Sequence, residues 1–261
     1  MTVVDVIQGD SPLVLGMPHT GTWLPMIVQA QLNERGHALA DTYWHIDQLY
    51  DGLLPGATIV RARFHRYVID ANRDPAGHSL YPGQNTTGLV PLTDFNGQEI
   101  WDDVPSDADL ADRRALYHAP YHAKLRAEME RVRDQHGFAI LYDCHSIRGE
   151  IPFLFDGPLP DLNIGTNLST TCDPSIEALV ERRAVAARGL SSVTNGRFKG
   201  GWTTRHYGRP DQGWHAIQME IAQRAYLTNE APPWTYDAAK ADRLRDTLGA
   251  MLTELSRWRP Q

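Results

Sequence analysis

The sequence predicts a single α/β domain in which a mostly parallel or mixed central sheet carries helices on both faces. Three observations predict this fold class. The length of 261 residues suits one large α/β domain. The contents of 42% hydrophobic and 22% charged residues are ordinary for a globular protein. Short apolar segments alternate with longer segments of helical periodicity, which is the pattern of a sheet covered by helices.

Short runs of apolar, β-branched and aromatic residues predict the strands of this sheet. The run at 138–142 is the strongest, because it is too short and too apolar for a surface element. The run at 216–221 carries a single acid, Glu220. The predicted strands are residues 13–15, 57–60, 67–69, 138–142, 153–155 and 216–221.

Longer segments with apolar residues at helical spacing predict the helices. Gly137 and Gly189 follow two of these segments as stop signals, and Pro120 predicts a kink or a restart inside the longest one. The predicted helices cover part of residues 34–50 and residues 107–135, 175–188 and 237–258.

One segment of the predicted domain, which spans residues 1–261, lacks either pattern. Residues 74–107 are rich in Gly, Pro, Asn and Asp. Long loops inside compact domains are often functional, so this segment is expected to form a long loop or lid.

Composition excludes several classes of function. The formal net charge of −7 and the absence of a Lys/Arg run argue against binding to nucleic acid. The sequence shows neither a signal peptide nor an apolar run long enough to span a membrane. Cys144 and Cys172 do not form a disulfide framework, and the cytoplasm is the expected location.

Polar residues directly after predicted strands are the first candidates for a site, because ligands bind beyond the carboxyl ends of strands in α/β sheets. His19, His145 and the pair Asn72–Arg73 have such positions. Two histidines and a carboxylate can hold zinc with an open position for water. For the third ligand, sequence spacing alone does not choose between Asp47 and His45.

Glu220 is the clearest candidate acid, since an unpaired carboxylate in an apolar strand is costly to bury. It is either a general base or a strand residue that faces water. Arg63, Arg66, Arg73 and Arg205 lie near the candidate positions, and arginine is well suited to bidentate binding of carboxylates.

Other chemistries are less well supported. The sequence contains no HExxH, GxSxG, GxxxxGK[ST] or GxGxxG motif of the expected context. Neighbours on a strand face opposite ways, so Cys144 is poorly placed as a nucleophile beside His145 and is expected to fill the core. His118 and His122 are four residues apart on a predicted helix, and packing roles are favoured for them.

Six segments together resemble the N-formylglutamate amidohydrolase family, which is related to zinc carboxypeptidases and to the aspartoacylase and succinylglutamate desuccinylase group. The likeness covers nearly the whole chain and implies a zinc-carboxypeptidase-like (phosphorylase/hydrolase-like) α/β domain. The segments are MPHTGTWLP (17–25), HIDQLYDGL (45–53), RYVIDANRDPAG (66–77), LYDCHS (141–146), NIGT (163–166), and GGWTTRHYG with HAIQMEIAQRAYL (200–208 and 215–227).

The resemblance implies a site with one divalent metal ion, expected to be Zn²⁺. His19 and His145 match the metal histidines of the relatives. The glutamate that the relatives carry three residues after the first histidine is Thr22 here. Asp47 is therefore the expected third ligand, in preference to His45.

The same resemblance implies roles for the remaining candidates. Arg66 matches the arginine that stabilises the oxyanion, and Glu220 matches the catalytic glutamate. Asn72 and Arg73 match the pair that binds the α-carboxylate of the substrate. Arg205 has no matched counterpart in the relatives and is a candidate ligand of the second carboxylate. Beside these, Ser146 is expected to hydrogen-bond near the substrate, and Asp143 to orient His145.

The resemblance implies hydrolysis of N-formyl-L-glutamate to L-glutamate and formate, a step in histidine degradation. Hydrolysis of another N-acyl amino acid or a metallocarboxypeptidase activity is the alternative, and a non-catalytic carboxylate-binding protein is a more distant one. The expected partner is a small anionic amino-acid substrate, with neither nucleic acid nor a membrane, and the chain is expected to be a monomer or a small homo-oligomer.

Overall fold

A seven-stranded sheet forms the centre of the computed structural model, which describes residues 2–80 and 83–260. The strand order is β1-β3-β2-β4-β7-β5-β6. The strands are β1 (Val4–Ile7), β2 (Leu13–Met17), β3 (Thr58–Ala62), β4 (Ala139–Ile147), β5 (Leu162–Gly165), β6 (Ser192–Thr194) and β7 (Trp214–Ala222).

The sheet is mixed, with a parallel centre. Strands β3, β2, β4 and β7 run parallel to one another. Strand β1 is antiparallel to β3, and β5 is antiparallel to β7. The carboxyl ends of the four central strands therefore meet at one edge, where ligands bind in sheets of this kind.

Helices cover both faces of the sheet, so the predicted α/β class is confirmed. Helix α5 packs on one face, and α3, α6 and α8 pack on the other, which produces a separate apolar core on each side. The helices are α1 (Met26–Gln31), α2 (Glu34–His37), α3 (Ile46–Tyr50), α4 (Asp107–Arg113), α5 (Ala119–His136), α6 (Pro174–Val185), α7 (Trp202–Tyr207) and α8 (Ala238–Arg257).

The predicted helix at 107–135 is interrupted by one turn of π-helix, Arg114–His118, which ends two residues before Pro120. Such turns insert an extra residue into a helix and are common near functional sites. The helix ends where the sequence predicts, because Gly137 adopts a left-handed conformation with φ 82°.

Two predicted strands, 67–69 and 153–155, are turns in the structure. The first is buried and apolar, which explains the prediction, but its backbone bonds to a local carbonyl and to side chains instead of to a strand. Tyr67 N donates to His65 Nδ1, and the carbonyl of Val68 accepts from Arg113 Nη1 at 3.3 Å. A buried arginine thus satisfies a segment that hydrophobic patterning alone assigns to the sheet.

The predicted long loop contains no helix or named strand in its described residues 74–80 and 83–106. Its role as a lid stays a prediction. In the described part of the chain, no helix has the length and apolar character that crossing a bilayer requires. Cys144 and Cys172 are buried free thiols, and Cys144 packs in the core as predicted.

Candidate active site

A cavity of about 260 Å³ opens at the carboxyl ends of the parallel strands. It lies between the segment that follows β3, the ends of β4 and β7, and the loop that precedes α7. Arginine side chains dominate its charged lining. The polar and charged lining residues of these segments include Tyr43, Arg66, Asn72, Arg73, Arg197, Gln218 and Glu220.

His19 follows β2 and is buried. Its Nε2 lies 2.7 Å from Oδ1 of Asp70, while its Nδ1 is buried without a hydrogen-bond partner among the described residues. Burial, opposed by the Asp70 carboxylate, lowers the pKa of His19 to about 3. The ring is therefore neutral, and the contact with Asp70 fixes the proton on Nε2 and leaves the Nδ1 lone pair available.

Asp70 is a charged residue in the interior that the sequence analysis did not single out. Burial alone raises the pKa of a carboxyl group, but the guanidinium groups of Arg66 and Arg73 hold the pKa of Asp70 well below its usual range. Its Oδ2 accepts from Arg66 Nη2 at 2.5 Å. One carboxylate thus orients both the histidine and the arginine.

His145 lies in β4, and its ring centroid is 6.0 Å from that of His19. Its Nε2 is 2.9 Å from Asp143 Oδ1, an ion-pair contact, and its Nδ1 is 3.1 Å from the Tyr43 hydroxyl. Burial lowers the pKa of His145, but the Asp143 carboxylate outweighs it and the pKa is raised. Because Tyr43 lines the cavity and contacts both histidine rings, the histidines adjoin the cavity through it.

Glu220 lies opposite His145 in the parallel register of β4 and β7. Gln218 Nε2 donates to its Oε2 at 3.2 Å, and its Oε1 is buried without a hydrogen-bond partner among the described residues. Burial raises the pKa of Glu220 to about 7, against the opposing effects of His145 and Arg66. A carboxylate with one held and one free oxygen is suited to accept a proton near neutral pH.

Arg66 is buried beside the same carboxylate. Only its Nη2 has a hydrogen-bond partner among the described residues, whereas its Nε and Nη1 have none. The guanidinium carbon lies 4.6 Å from the ring centroid of Phe95 and 5.7 Å from that of Tyr43. Fixed donors with unused hydrogens in a cavity wall can stabilise a developing oxyanion.

Asn72 and Arg73 line the cavity together with residues of the long loop. Asn72 Oδ1 accepts from Thr203 N at 2.8 Å, which fixes the orientation of its amide. Arg73 donates to the carbonyls of Thr87 and Asn72. A Cβ at Gly201 would lie only 2.2 Å from Asn72 Nδ2, so the close packing of Asn72 requires glycine there.

Residues 11–227 match the family described as N-formylglutamate amidohydrolase. The chain belongs to this family. It is 43% identical over 259 residues to an N-formylglutamate deformylase of Pseudomonas aeruginosa, which covers 98% of this chain and 97% of that protein. An N-formylglutamate deformylase of Pseudomonas putida is also 43% identical, with coverage of 98% of this chain and 96% of that protein.

A solved structure of the same family has a similar fold. The crystal structure of N-formylglutamate amidohydrolase from Ralstonia eutropha JMP134 superposes with a TM-score of 0.81 at 27% identity, over 98% of this chain and 99% of that chain.

The metal site that the N-formylglutamate amidohydrolase resemblance implies fits the structure at two donors. The orphaned Nδ1 of buried His19 and the nearby ring of His145 are nitrogen donors, each with a carboxylate behind the ring, as in metal sites generally. Among residues 2–80 and 83–260, no group of three or more His, Cys, Asp or Glu side chains is arranged to hold a metal ion.

The structure does not bring the expected third ligand, Asp47, to the histidines. Asp47 lies on α3 with its side chain 42% exposed, and it accepts a 2.8 Å hydrogen bond from Arg61, which also pairs with Asp5 at the sheet edge. The alternative ligand, His45, contacts the carbonyl of Trp234. The carboxylate that contacts His19 belongs to Asp70, which lies in the segment after β3.

Two of the expected substrate ligands also lie elsewhere. Ser146 faces away from the cavity, because it occupies the opposite face of β4 from His145, and its Oγ accepts from the Tyr226 hydroxyl at 2.8 Å. Arg205 lies on α7, where its Nε donates to the carbonyl of Gly200. Neither is among the described residues that line the cavity.

Sequence reasoning missed four residues of the site in this amidohydrolase: Tyr43, Asp70, Arg197 and Gln218. Strand alternation was a usable signal for Gln218, which is two residues before Glu220 and shares its face. Asp70 lies two residues before Asn72, in the segment RYVIDANRDPAG (66–77) on which the family resemblance partly rests. Tyr43 and Arg197 reach the cavity from irregular segments, where sequence gives no direction for a side chain.

Proposed function

We propose that this protein hydrolyses N-formyl-L-glutamate to L-glutamate and formate, in a metal-assisted reaction with Glu220 as the general base. The observation that carries the proposal is the buried Glu220, with one free oxygen, in the wall of an arginine-lined cavity. The names of the two Pseudomonas relatives agree with this substrate. A role in cytoplasmic histidine degradation is part of the proposal.

Glu220 accepts a proton from the attacking water and returns it to the leaving amine. A pKa of about 7 suits both transfers at neutral pH, since the group is basic enough to accept the proton and acidic enough to return it. The hydrogen bond from Gln218 to Oε2 keeps Oε1 as the oxygen that exchanges the proton.

Arg66 stabilises the negative charge that develops on the formyl oxygen when water adds to the carbonyl carbon. Its Nε and Nη1 hydrogens are available, and Asp70 holds the guanidinium through Nη2. Because the group is buried and already oriented, little reorganisation is needed in the transition state.

Asn72 and Arg73 bind the α-carboxylate. The pair is positioned by Thr203 of α7 and by Thr87 of the long loop. Bidentate contact with a guanidinium gives both affinity and orientation for a carboxylate. This contact brings the formyl group toward Glu220, which lines the same cavity.

His19 and His145 are the residues that would hold the metal ion, with Asp70 and Asp143 orienting their rings. A bound divalent ion supplies Lewis-acid polarisation of the formyl oxygen and lowers the pKa of a water molecule. The Tyr43 hydroxyl lies 3.1 Å from His145 Nδ1, and Tyr43 lines the cavity, so the two histidines adjoin the cavity at this residue.

Formate release from N-formyl-L-glutamate by the purified full chain tests the proposal. We expect turnover that is lost on removal of divalent metal by a chelator and restored by Zn²⁺. His19→Asn should lower bound metal and activity together, whereas His37→Asn, at an exposed position, should change neither. Absence of formate with every divalent metal tried would show that the proposed reaction is wrong.

A further inference from the structure

We infer that Arg197 binds the side-chain carboxylate of the substrate and thereby makes the enzyme selective for dicarboxylic N-formyl amino acids. This inference rests on the proposed hydrolysis of an N-formyl amino acid. It assigns the second carboxylate to a loop that the sequence analysis did not consider.

The charge balance of the cavity is the first observation. Its described lining contains the guanidinium groups of Arg66, Arg73 and Arg197 and the carboxyl groups of Asp74 and Glu220. Asp74 caps its own turn and pairs with His78 at the outer rim. Glu220 is the proposed base. The cavity of an acidic protein thus concentrates positive charge, which suits a dianionic ligand.

Each of these arginines then has a separate task. Arg66 is buried against Asp70 and faces the reacting formyl group in the proposed mechanism. Arg73 stands beside Asn72 in the pair that binds the α-carboxylate. A substrate with two carboxylates has one left to bind, and Arg197 is the arginine of the described lining that remains.

Arg197 is held in a defined orientation by a neighbouring loop. Its Nε and Nη2 donate to the carbonyl of Leu154 at 3.2 and 3.1 Å, and its guanidinium carbon lies 5.5 Å from the ring centroid of Phe198. A guanidinium that is already oriented loses less conformational entropy when a ligand binds. Leu154 and Phe198 also line the cavity and offer apolar surface to the methylene groups of a glutamate side chain.

Arg205 provides a matched comparison on the adjacent element. It is the residue that the sequence offered as a candidate for this carboxylate, without a matched counterpart in the relatives, and it is partly buried like Arg197. Its Nε donates to the carbonyl of Gly200, in the turn that precedes α7, and Arg205 is not among the described residues that line the cavity. The two arginines therefore allow a direct test by the same substitution at two positions.

The test compares kcat/KM for N-formyl-L-glutamate with kcat/KM for N-formyl-L-glutamine, which replaces only the side-chain carboxylate by an amide. We expect Arg197→Gln to lower the value for N-formyl-L-glutamate by about 10- to 100-fold, mainly through KM, because a charge-assisted hydrogen bond is lost. The value for N-formyl-L-glutamine should change by less than about threefold. Arg205→Gln should preserve the wild-type ratio.

Arg197→Lys is the second variant, because it keeps the charge and the stem if the glutamine variant does not fold. It should retain part of the preference for the dianion. Equal losses for both substrates in the Arg197 variants, or a lost preference in Arg205→Gln alone, would overturn the assignment. A wild-type protein that releases no formate from N-formyl-L-glutamate would refute the proposed function and this inference together, whereas an active wild type with an unchanged ratio in the Arg197 variants would refute only the inference.

Discussion

The two faces of strand β4 make different kinds of contact, polar and charged on one face and largely apolar on the other, although their residues alternate along one chain segment. On one face, Asp143 and His145 form an ion-pair contact beside Glu220 of β7. On the other, Cys144 packs in the apolar core and Ser146 binds the Tyr226 hydroxyl. All nine residues of the strand are buried. Burial therefore does not separate the residues proposed to act in catalysis from those that pack in the core, whereas the face of the strand does.

The electrostatic environments of the two faces explain this separation. The face with Asp143 and His145, together with Glu220 of β7, is the proposed catalytic face; it contains paired charges, and burial raises the pKa of the Glu220 carboxyl to about 7. On the core face, burial raises the pKa of the Cys144 thiol well above its usual value, with a further contribution from Asp143. The thiol stays neutral and acts as a small apolar group, which is inert as a nucleophile.

The largest expected effect comes from the free carboxyl of the catalytic face. Glu220→Gln should lower kcat by about 10² to 10⁴-fold, because the amide cannot accept the proton of water. Metal content should stay at the wild-type level. Glu34→Gln, at an exposed position, is the control and should leave kcat unchanged. Near-normal kcat in Glu220→Gln would remove the general-base assignment.

A smaller loss is expected for the residue behind His145. Asp143→Asn should lower metal affinity or activity by about 10- to 100-fold, as is usual when the carboxylate behind a metal-binding histidine is lost. Metal titration alongside kcat would measure both effects. Unchanged metal affinity would mean that Asp143 supports the fold and not the ring of His145.

The pH dependence should also reflect the catalytic face. In the proposed mechanism Glu220 acts as a carboxylate, and burial raises its pKa to about 7, so kcat/KM should fall about tenfold per pH unit below that value. The raised pKa has an opposite consequence for stability. The protonated form is favoured in the folded protein, so the contribution of Glu220 is fully present below about pH 4.5 and is lost as pH rises through about 7.

Unfolding by urea at pH 5 and pH 8 measures this effect. Wild type should lose stability relative to Glu220→Gln as the pH rises between these values, because only wild type has to keep a charged carboxylate in the interior. A constant difference between the two proteins would indicate that Glu220 has an ordinary pKa.

The smallest effect on catalysis is expected on the core face. Ser146→Ala should change kcat/KM by less than about threefold and cost about 1 kcal/mol of stability, because the Tyr226 hydroxyl loses its acceptor. Steady-state kinetics and urea unfolding would measure the two quantities. A large kinetic loss without loss of stability would show that Ser146 reaches the substrate after all.

Sequence reasoning predicted the strand-end positions of His19, His145 and Glu220 because a parallel sheet brings its carboxyl ends together whatever the intervening chain does. The same alternation rule that removed Cys144 from consideration applies equally to Ser146, two residues later on the same face. That error was avoidable from the sequence.

The misplaced Asp47 has a different cause. Its helix, α3, begins directly after His45, but packing sets the direction of a short helix. Here Arg61 in β3 binds the Asp47 carboxylate at the sheet edge. Arg197 was similarly invisible, since its orientation depends on the carbonyl of Leu154, some forty residues earlier. Contacts between irregular segments leave no periodic signal in a sequence.

Gly201 contacts both the proposed substrate ligand Asn72 and the residue that orients Glu220, Gln218. Its hydrogen faces the amide of Asn72, and its N–H donates to Gln218 Oε1, whose own amide holds Glu220. A displacement of this peptide would therefore disturb both the proposed substrate ligand Asn72 and the orientation of the proposed base Glu220. If these roles hold, a substitution at position 201 changes substrate affinity and catalytic rate together.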